Sequence, residues 1–169
     1  KDGALRFLGY GTAPSRGVSK GEIVDASLIE KALSDALIRA EDRSEVMIRH
    51  VFLGVTGNHI QGVNHQGEFA LPADQNRITK EDLNDVRDIA CRLEVPGTHV
   101  FLHRIARKYS IDGQDGVRSL IGRTGHKLKA SFHLVHGVRS RIQSSIEAVR
   151  SIPLEVEDVA FLPIAASYV

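Results

Sequence analysis

The chain has 169 residues, of which 42% are hydrophobic and 25% are charged, and this length fits one domain or two small ones. The composition is typical of a globular protein and argues against an intrinsically disordered chain. The 22 Lys and Arg residues nearly cancel the 21 Asp and Glu residues, and the net charge of +1 disfavours a nucleic-acid-binding protein. A single cysteine, Cys91, excludes an intramolecular disulfide and a cysteine-based zinc site.

The N-terminal part of the chain is predicted to form a strand, a turn-rich segment and a helix. Residues 5–9 favour a short strand, which the glycines that follow would end. Ser27 and Glu30 match the first and last positions of a capping box, so the helix is predicted to begin after Ser27. Its apolar stripe includes Ile29 and Leu33, and the helix is expected to end near residues 42–44.

The next part of the chain predicts strands around a second helix. Residues 46–55 are rich in apolar and β-branched side chains, which is typical of a buried strand. Residues 59–71 favour an extended stretch or a hairpin. Thr79 has the position of an N-cap, and Val86 and Ala90 belong to the apolar face of the helix that it begins.

The C-terminal half predicts three strands and a third helix. Residues 99–111 favour a long strand, and the glycine-rich residues 112–125 favour an exposed loop. Residues 127–135 alternate apolar and polar side chains, which predicts a strand with one core face and one polar face. Residues 140–151 predict a helix, and residues 154–162 predict a strand. Because helices and strands are interleaved, the fold class is α/β to α+β.

No stretch of the sequence has the spacing of a catalytic or cofactor site. The pair Gly9 and Gly11 starts like a dinucleotide loop, but Pro14 occupies the position of its third glycine and lacks an N–H for a phosphate. His99 and His103 would lie about 13 Å apart on a strand, too far for two bonds to one zinc ion. We therefore interpret the histidines as surface or core residues, and this pattern favours an interaction module over an enzyme.

Six short stretches occur in a defined order along the chain. They are RGVSKGEIVD at 16–25, VTGNHI at 55–60, ITKED at 78–82, YSIDGQDG at 109–116, GRTGHKL at 122–128 with HLV at 133–135, and LEVED at 154–158 with LPIAAS at 162–167. In this order they resemble the FtsA family, the bacterial actin-like proteins of the cell-division ring. One departure is that Ala106, Arg107 and Lys108 stand where the family often has Pro-Gln-Glu, so an acidic position has become basic.

The resemblance implies a partial actin-like, ribonuclease H-like fold. Residues 1–58 and 138–169 would form part of the family's subdomain 1A, and residues 59–137 would form its inserted strand-helix-strand-strand subdomain 1C, also called SHS2. The family's phosphate loops would lie outside this sequence, so we expect a fragment of a longer protein. No cofactor, metal or catalytic residue is assigned to the fragment, which is predicted not to be an enzyme, and ATP is expected only for the full-length parent.

The resemblance also implies a function in bacterial cell division. The parent would polymerise with itself, tether FtsZ to the membrane and recruit later division proteins, at the cytoplasmic face of the cell membrane at the division site. Its membrane contact would come only from a missing C-terminal helix, and it would not bind nucleic acid. The alternative is an actin-like relative from pilus assembly that shares the inserted subdomain.

Subdomain 1C is the surface that the family uses for filament and partner contacts. Solvation alone would also explain most single charges on such a surface. Our candidate contact residues are charged side chains of the second helix, of the long strand after it and of the glycine-rich loop: Lys80, Asp82, Asp85, Arg87, Asp88, Arg92, Arg107, Lys108, Arg118 and Arg123.

Overall fold

The computed structural model describes residues 6–72, 77–115 and 119–168. Its elements are β1 (Val18–Ser19), β2 (Glu22–Ile23), α1 (Ala26–Ser44), β3 (His50–Val55), β4 (Ile60–Ala70), α2 (Lys80–Ala90), β5 (His99–Ile111), β6 (Gln114–Asp115), β7 (Lys127–Val138), α3 (Arg139–Arg150), β8 (Glu155–Phe161), α4 (Leu162–Ala165) and a 3-10 turn (Ala166–Tyr168). The chain divides into a host unit, residues 1–59 with 138–169, and an inserted unit, residues 60–137. Within the described residues, no helix has the length and apolar character needed to cross a membrane.

The host unit contains a hairpin, and its turn explains why Lys20 and Gly21 stand next to each other in the stretch RGVSKGEIVD at 16–25. β1 and β2 are antiparallel, with Val18 opposite Ile23 and Ser19 opposite Glu22. The two residues between them, Lys20 and Gly21, both have positive φ, at 51° and 81°. A two-residue hairpin turn of this kind needs positive φ at both positions, which glycine adopts without strain.

Helix α1 begins two residues earlier than the sequence predicts. Its N-cap is Asp25, whose carboxylate accepts a hydrogen bond from the Leu28 N–H at 3.0 Å. The prediction of Ser27 as the N-cap is therefore wrong: Asp25 takes this position and places a negative charge at the positive end of the helix. The helix ends at Ser44, as expected.

The predicted strand at residues 5–9 is wrong for the part that the structure describes. Residues 6–9 have no regular secondary structure. The segment that follows lies along α1, where Arg43 donates to the Tyr10 carbonyl at 3.1 Å and Arg39 donates to the Thr12 carbonyl at 2.6 Å. Two backbone carbonyl groups of this segment thus accept hydrogen bonds from arginine side chains. In a strand, the backbone groups would instead bond to a neighbouring strand.

The remainder of the host unit is a parallel strand pair connected through α3. β3 pairs with β8 from His50 opposite Glu155 to Val55 opposite Phe161, with one irregularity between Val51 and Phe52. Phe52 is 73% exposed, so this sheet has an uncovered apolar position. The predicted strand at 46–55 is shorter in the structure, since residues 46–49 carry no regular structure.

The inserted unit is a four-stranded sheet with one helix on it. The strand order is β4-β7-β5-β6, and β4 pairs with β7 without interruption from Ile60 opposite Gly137 to Ala70 opposite Lys127. Helix α2 lies against β4, where a Cβ on Gly67 would collide with the backbone of Ala90. The predicted extended stretch at 59–71 is thus one strand and not a hairpin.

The core of the inserted unit lies between α2 and the sheet. Val86 and Ala90 of α2 are fully buried together with Leu128, Ala130 and Leu134 of β7. The face of β7 that the sequence predicts to be polar carries Lys129, Ser131 and His133, and two residues on it, Ser131 and Val135, are buried.

Candidate protein-contact surface

The start of α2 is fixed by a capping box that the sequence predicts. The Thr79 N–H and hydroxyl both donate to the Asp82 carboxylate at 2.7 Å, and the Asp82 N–H donates to the Thr79 hydroxyl at 3.3 Å. The side chain of Asp82 is consequently buried, at 5% exposure. The expectation of an exposed Asp82 on the contact surface is therefore wrong: this carboxylate is used inside the fold.

The other candidates near α2 are exposed. They are Lys80, Asp85, Arg87, Asp88 and Arg92. Arg87 donates to the neighbouring Asp88 at 3.3 Å. The sequence instead suggests an Asp88–Arg92 pair at a helical i,i+4 spacing, but α2 ends at Ala90, so Arg92 does not share that helical turn.

The loop between β6 and β7 is held by Asp112 and Arg123. Asp112 has a φ of 48° in the turn after β5, and its carboxylate accepts from the N–H groups of His126 at 3.0 Å and Lys127 at 2.8 Å. These backbone donors, His126 first, hold the pKa of Asp112 below its ordinary value. Arg123 donates to the Ser119 carbonyl at 2.7 Å. Arg118 lies outside the described residues.

The face of the sheet opposite α2 carries a polar cavity of about 240 Å³. It is lined by Gln66, Lys108, Ser110, Gly113, Asp115, Lys129 and Ser131. Lys108 donates to Asp115 at 2.7 Å, and Glu68 binds both Lys127 and Lys129. The hydrogen bond from Lys127 is the main reason that the pKa of Glu68 is lowered. Lys108 is the described candidate that belongs to this cavity, while Arg107 is exposed on the same strand.

Sequence reasoning missed a histidine pair at the other end of the sheet. The Nδ1 atoms of His99 and His136 share a hydrogen bond at 2.8 Å, and His136 is 4% exposed. Burial, with His99 as a second cause, lowers the pKa of His136. No local pattern indicates this pair, because the two residues come from different strands. In the part of the chain that the structure describes, no three His, Cys, Asp or Glu residues form a group that could hold a metal ion.

The described geometry is that of a mixed α/β protein whose surface carries exposed charged residues near α2 and on β5. A solved structure with a related fold is a chain of the PilM-PilN type IV pilus biogenesis complex, which is 15% identical with a TM-score of 0.57. The match covers 92% of this chain and 40% of that chain. The fold class is therefore an actin-like one with an inserted strand-helix-strand-strand domain.

Sequence similarity identifies the relatives of this chain more specifically than the fold does. Residues 57–136 match the model of the SHS2 domain inserted in FtsA. The cell division protein FtsA of Pseudomonas aeruginosa is 33% identical over 167 residues, and that of Escherichia coli K12 is 31% identical over 167 residues. Each alignment covers 99% of this chain but only 40% and 39% of the relative, so the chain spans about two fifths of their length. Residues 57–136 therefore form an SHS2 domain of the FtsA type, and the chain is similar to FtsA along nearly its whole length.

Proposed function

We propose that the chain works in bacterial cell division as part of a longer actin-like adaptor, in which residues 60–137 make filament and partner contacts. The observation that carries this proposal is the 33% identity to a cell division protein along 99% of the chain. The exposed charges near α2 and on β5 supply the polar contacts, because single charged side chains on such surfaces can set partner choice. Their present ion pairs are exposed and contribute little to folding.

The similarity to FtsA along the chain supports a more detailed proposal. The complete protein would bind ATP outside this chain, polymerise, link FtsZ to the inner face of the cell membrane and recruit later division proteins. A role in pilus assembly is the second candidate. The likeness to the PilM-PilN chain favours it, but at 15% identity that likeness concerns the fold alone.

A domain exchange tests the proposal. In Pseudomonas aeruginosa, the SHS2 domain of the resident FtsA would be replaced by residues 57–136 of this chain. We expect septa to form at normal spacing, because the exchanged domain presents the family's contact surface. Long undivided cells, with the chimera present at normal levels, would contradict the proposal.

A charge exchange within that chimera tests the surface itself. The variant Arg87→Asp/Asp88→Arg with Lys108→Glu keeps the neighbouring ion pair on α2 but inverts the surface pattern. We expect it to impair filament formation and septation. Glu94→Lys, at an exposed position between α2 and β5, is the control for a charge reversal of the same size and opposite sign. Full polymerisation by the triple variant would show that the surface is assigned wrongly.

A further inference from the structure

The outer edge of β5 is a long unpaired strand edge in the described part of the inserted unit. β5 has 13 residues, but its outer neighbour β6 pairs only with Ser110 and Ile111. The strand order places β7 on the other side of β5, so residues 99–109 present one row of backbone N–H and C=O groups that no described strand covers. Such an edge is a template on which another extended chain can pair.

The charges along this edge have one sign. β5 contains Arg104, Arg107 and Lys108, all exposed, and has no Asp or Glu. Arg104 lies over the Phe101 ring, 4.9 Å from its centroid, which holds the guanidinium beside the strand. An approaching strand would therefore meet three cations and no anion on β5.

The short strand β6 shows which chemistry fits this edge. Asp115 stands opposite Ser110 in the β5–β6 pairing, and its carboxylate accepts from Lys108 at 2.7 Å. An acidic residue of β6, Asp115, thus already lies opposite the C-terminal end of β5. Cross-strand pairs of opposite charge stabilise such pairing, whereas like charges oppose it.

We propose that residues 99–109 of β5 bind an extended acidic segment of a protein partner, which adds to the sheet beside β5, in line with the short strand β6. Backbone hydrogen bonds would supply the affinity, and the basic side chains would select acidic sequences. This inference rests on the proposed role of the inserted unit in protein contacts and specifies the chemistry of one partner.

A second copy of β5 is a poorer occupant of the same edge. Antiparallel pairing of two such strands would set one run of Arg104, Arg107 and Lys108 against another. Like charges opposite each other destabilise the pair, which is one way in which proteins prevent edge-to-edge association. The charges of the edge therefore favour an acidic strand over a second copy of β5.

The test uses three labelled peptides of about ten residues and the 169-residue chain. In the first peptide Glu alternates with Val, in the second Lys replaces Glu, and in the third the central Val residues of the acidic peptide become Pro. The third peptide keeps the charge, but each of its proline residues lacks the backbone N–H that a strand ladder uses. Binding is followed by fluorescence anisotropy, and the contact is located by hydrogen exchange of the β5 amides.

We expect only the acidic, proline-free peptide to bind and to slow exchange at residues 99–109. Arg107→Glu/Lys108→Glu should weaken it about tenfold, and higher salt should weaken it as well. Lys80→Glu/Arg92→Glu changes the net charge equally at exposed positions outside β5, and should leave binding nearly unchanged. Circular dichroism of both variants checks that each is folded.

Four results would overturn the proposal. They are equal binding of the proline peptide, equal binding of the basic peptide, no binding at about 1 mM peptide, and protection of β5 by self-association without peptide. Because this assay does not depend on septation, its failure would leave the domain exchange standing. If the domain exchange fails while the peptide still binds, the proposed role in division is wrong, and β5 remains a binding site for an acidic strand.

Discussion

At the scale of single residues, the Asp82 carboxylate determines where α2 starts. It accepts from both the N–H and the hydroxyl of Thr79, and Asp82 is itself buried. Thr79→Ala removes the hydroxyl and leaves the Asp82 N–H without its acceptor. We expect the free energy of unfolding to fall by about 1 kcal/mol, measured by urea titration.

The control for this change is Asp85→Asn on the same helix. Asp85 is exposed, so its replacement should alter the urea midpoint very little. Equal losses from Thr79→Ala and Asp85→Asn would mean that the capping box does not stabilise α2.

Two buried histidines make the stability of the folded chain depend on pH. Burial lowers the pKa of His59, and burial followed by the nearby His99 lowers the pKa of His136. The unfolded chain therefore binds these protons more readily than the folded one. The stability that they contribute is complete above their ordinary pKa of 6.5 and is lost as pH falls from that value towards the lowered one.

We therefore expect unfolding to become easier between about pH 7 and pH 5. His136→Gln should flatten this dependence, and His59→Gln should flatten it further, in urea titrations at several pH values. His133→Gln, on the less buried face of β7, is the control and should keep the original slope. An unchanged slope in the double variant would contradict the assignment.

At the scale of elements, the contact between α2 and β4 depends on Gly67. A Cβ there would meet the backbone of Ala90, which cannot move without shifting α2. Gly67→Ala should therefore lower the free energy of unfolding by about 1–3 kcal/mol. Gly97→Ala is the matched control, because nothing lies within 4 Å of the added atom. Equal thermal midpoints for the two variants would show that α2 does not pack this closely.

The sequence predicts elements well where local signals agree. β5 has the predicted bounds because its apolar run ends at Asp112 and Gly113, which form a turn with positive φ at both positions. The cap of α1 was misplaced because both Asp25 and Ser27 suit an N-cap, and sequence alone does not rank them.

The sequence predicts the contact surface less well than it predicts the helices and strands. Burial of Asp82 follows from its two hydrogen bonds, whereas its charge alone favours exposure. The His99–His136 pair arises from strand order, and no periodicity within one strand indicates it. The unpaired edge of β5 also depends on strand order, because β6 is too short to cover it.

At the scale of the whole molecule, the inserted unit has its own hydrophobic core. The core cluster runs from Leu71 to Leu134, entirely within residues 60–137. We expect a chain of residues 60–137 to unfold in one cooperative urea transition and to protect the amides of Val86 and Leu134 from exchange. A gradual transition without protected amides would show that this unit needs the host unit to fold.

The pairing of Ile60 with Gly137 also has a consequence for the order of folding. These residues are the two ends of the inserted unit, and they meet across β4 and β7. Without them, β3 and β8 would close a loop of about one hundred residues, at an entropic cost that rises with loop length. With the insert folded, the remaining connection is an ordinary strand-helix-strand crossover through α3. If the inserted unit folds first, β3 and β8 would thus pair at the rate expected for a protein without the insertion.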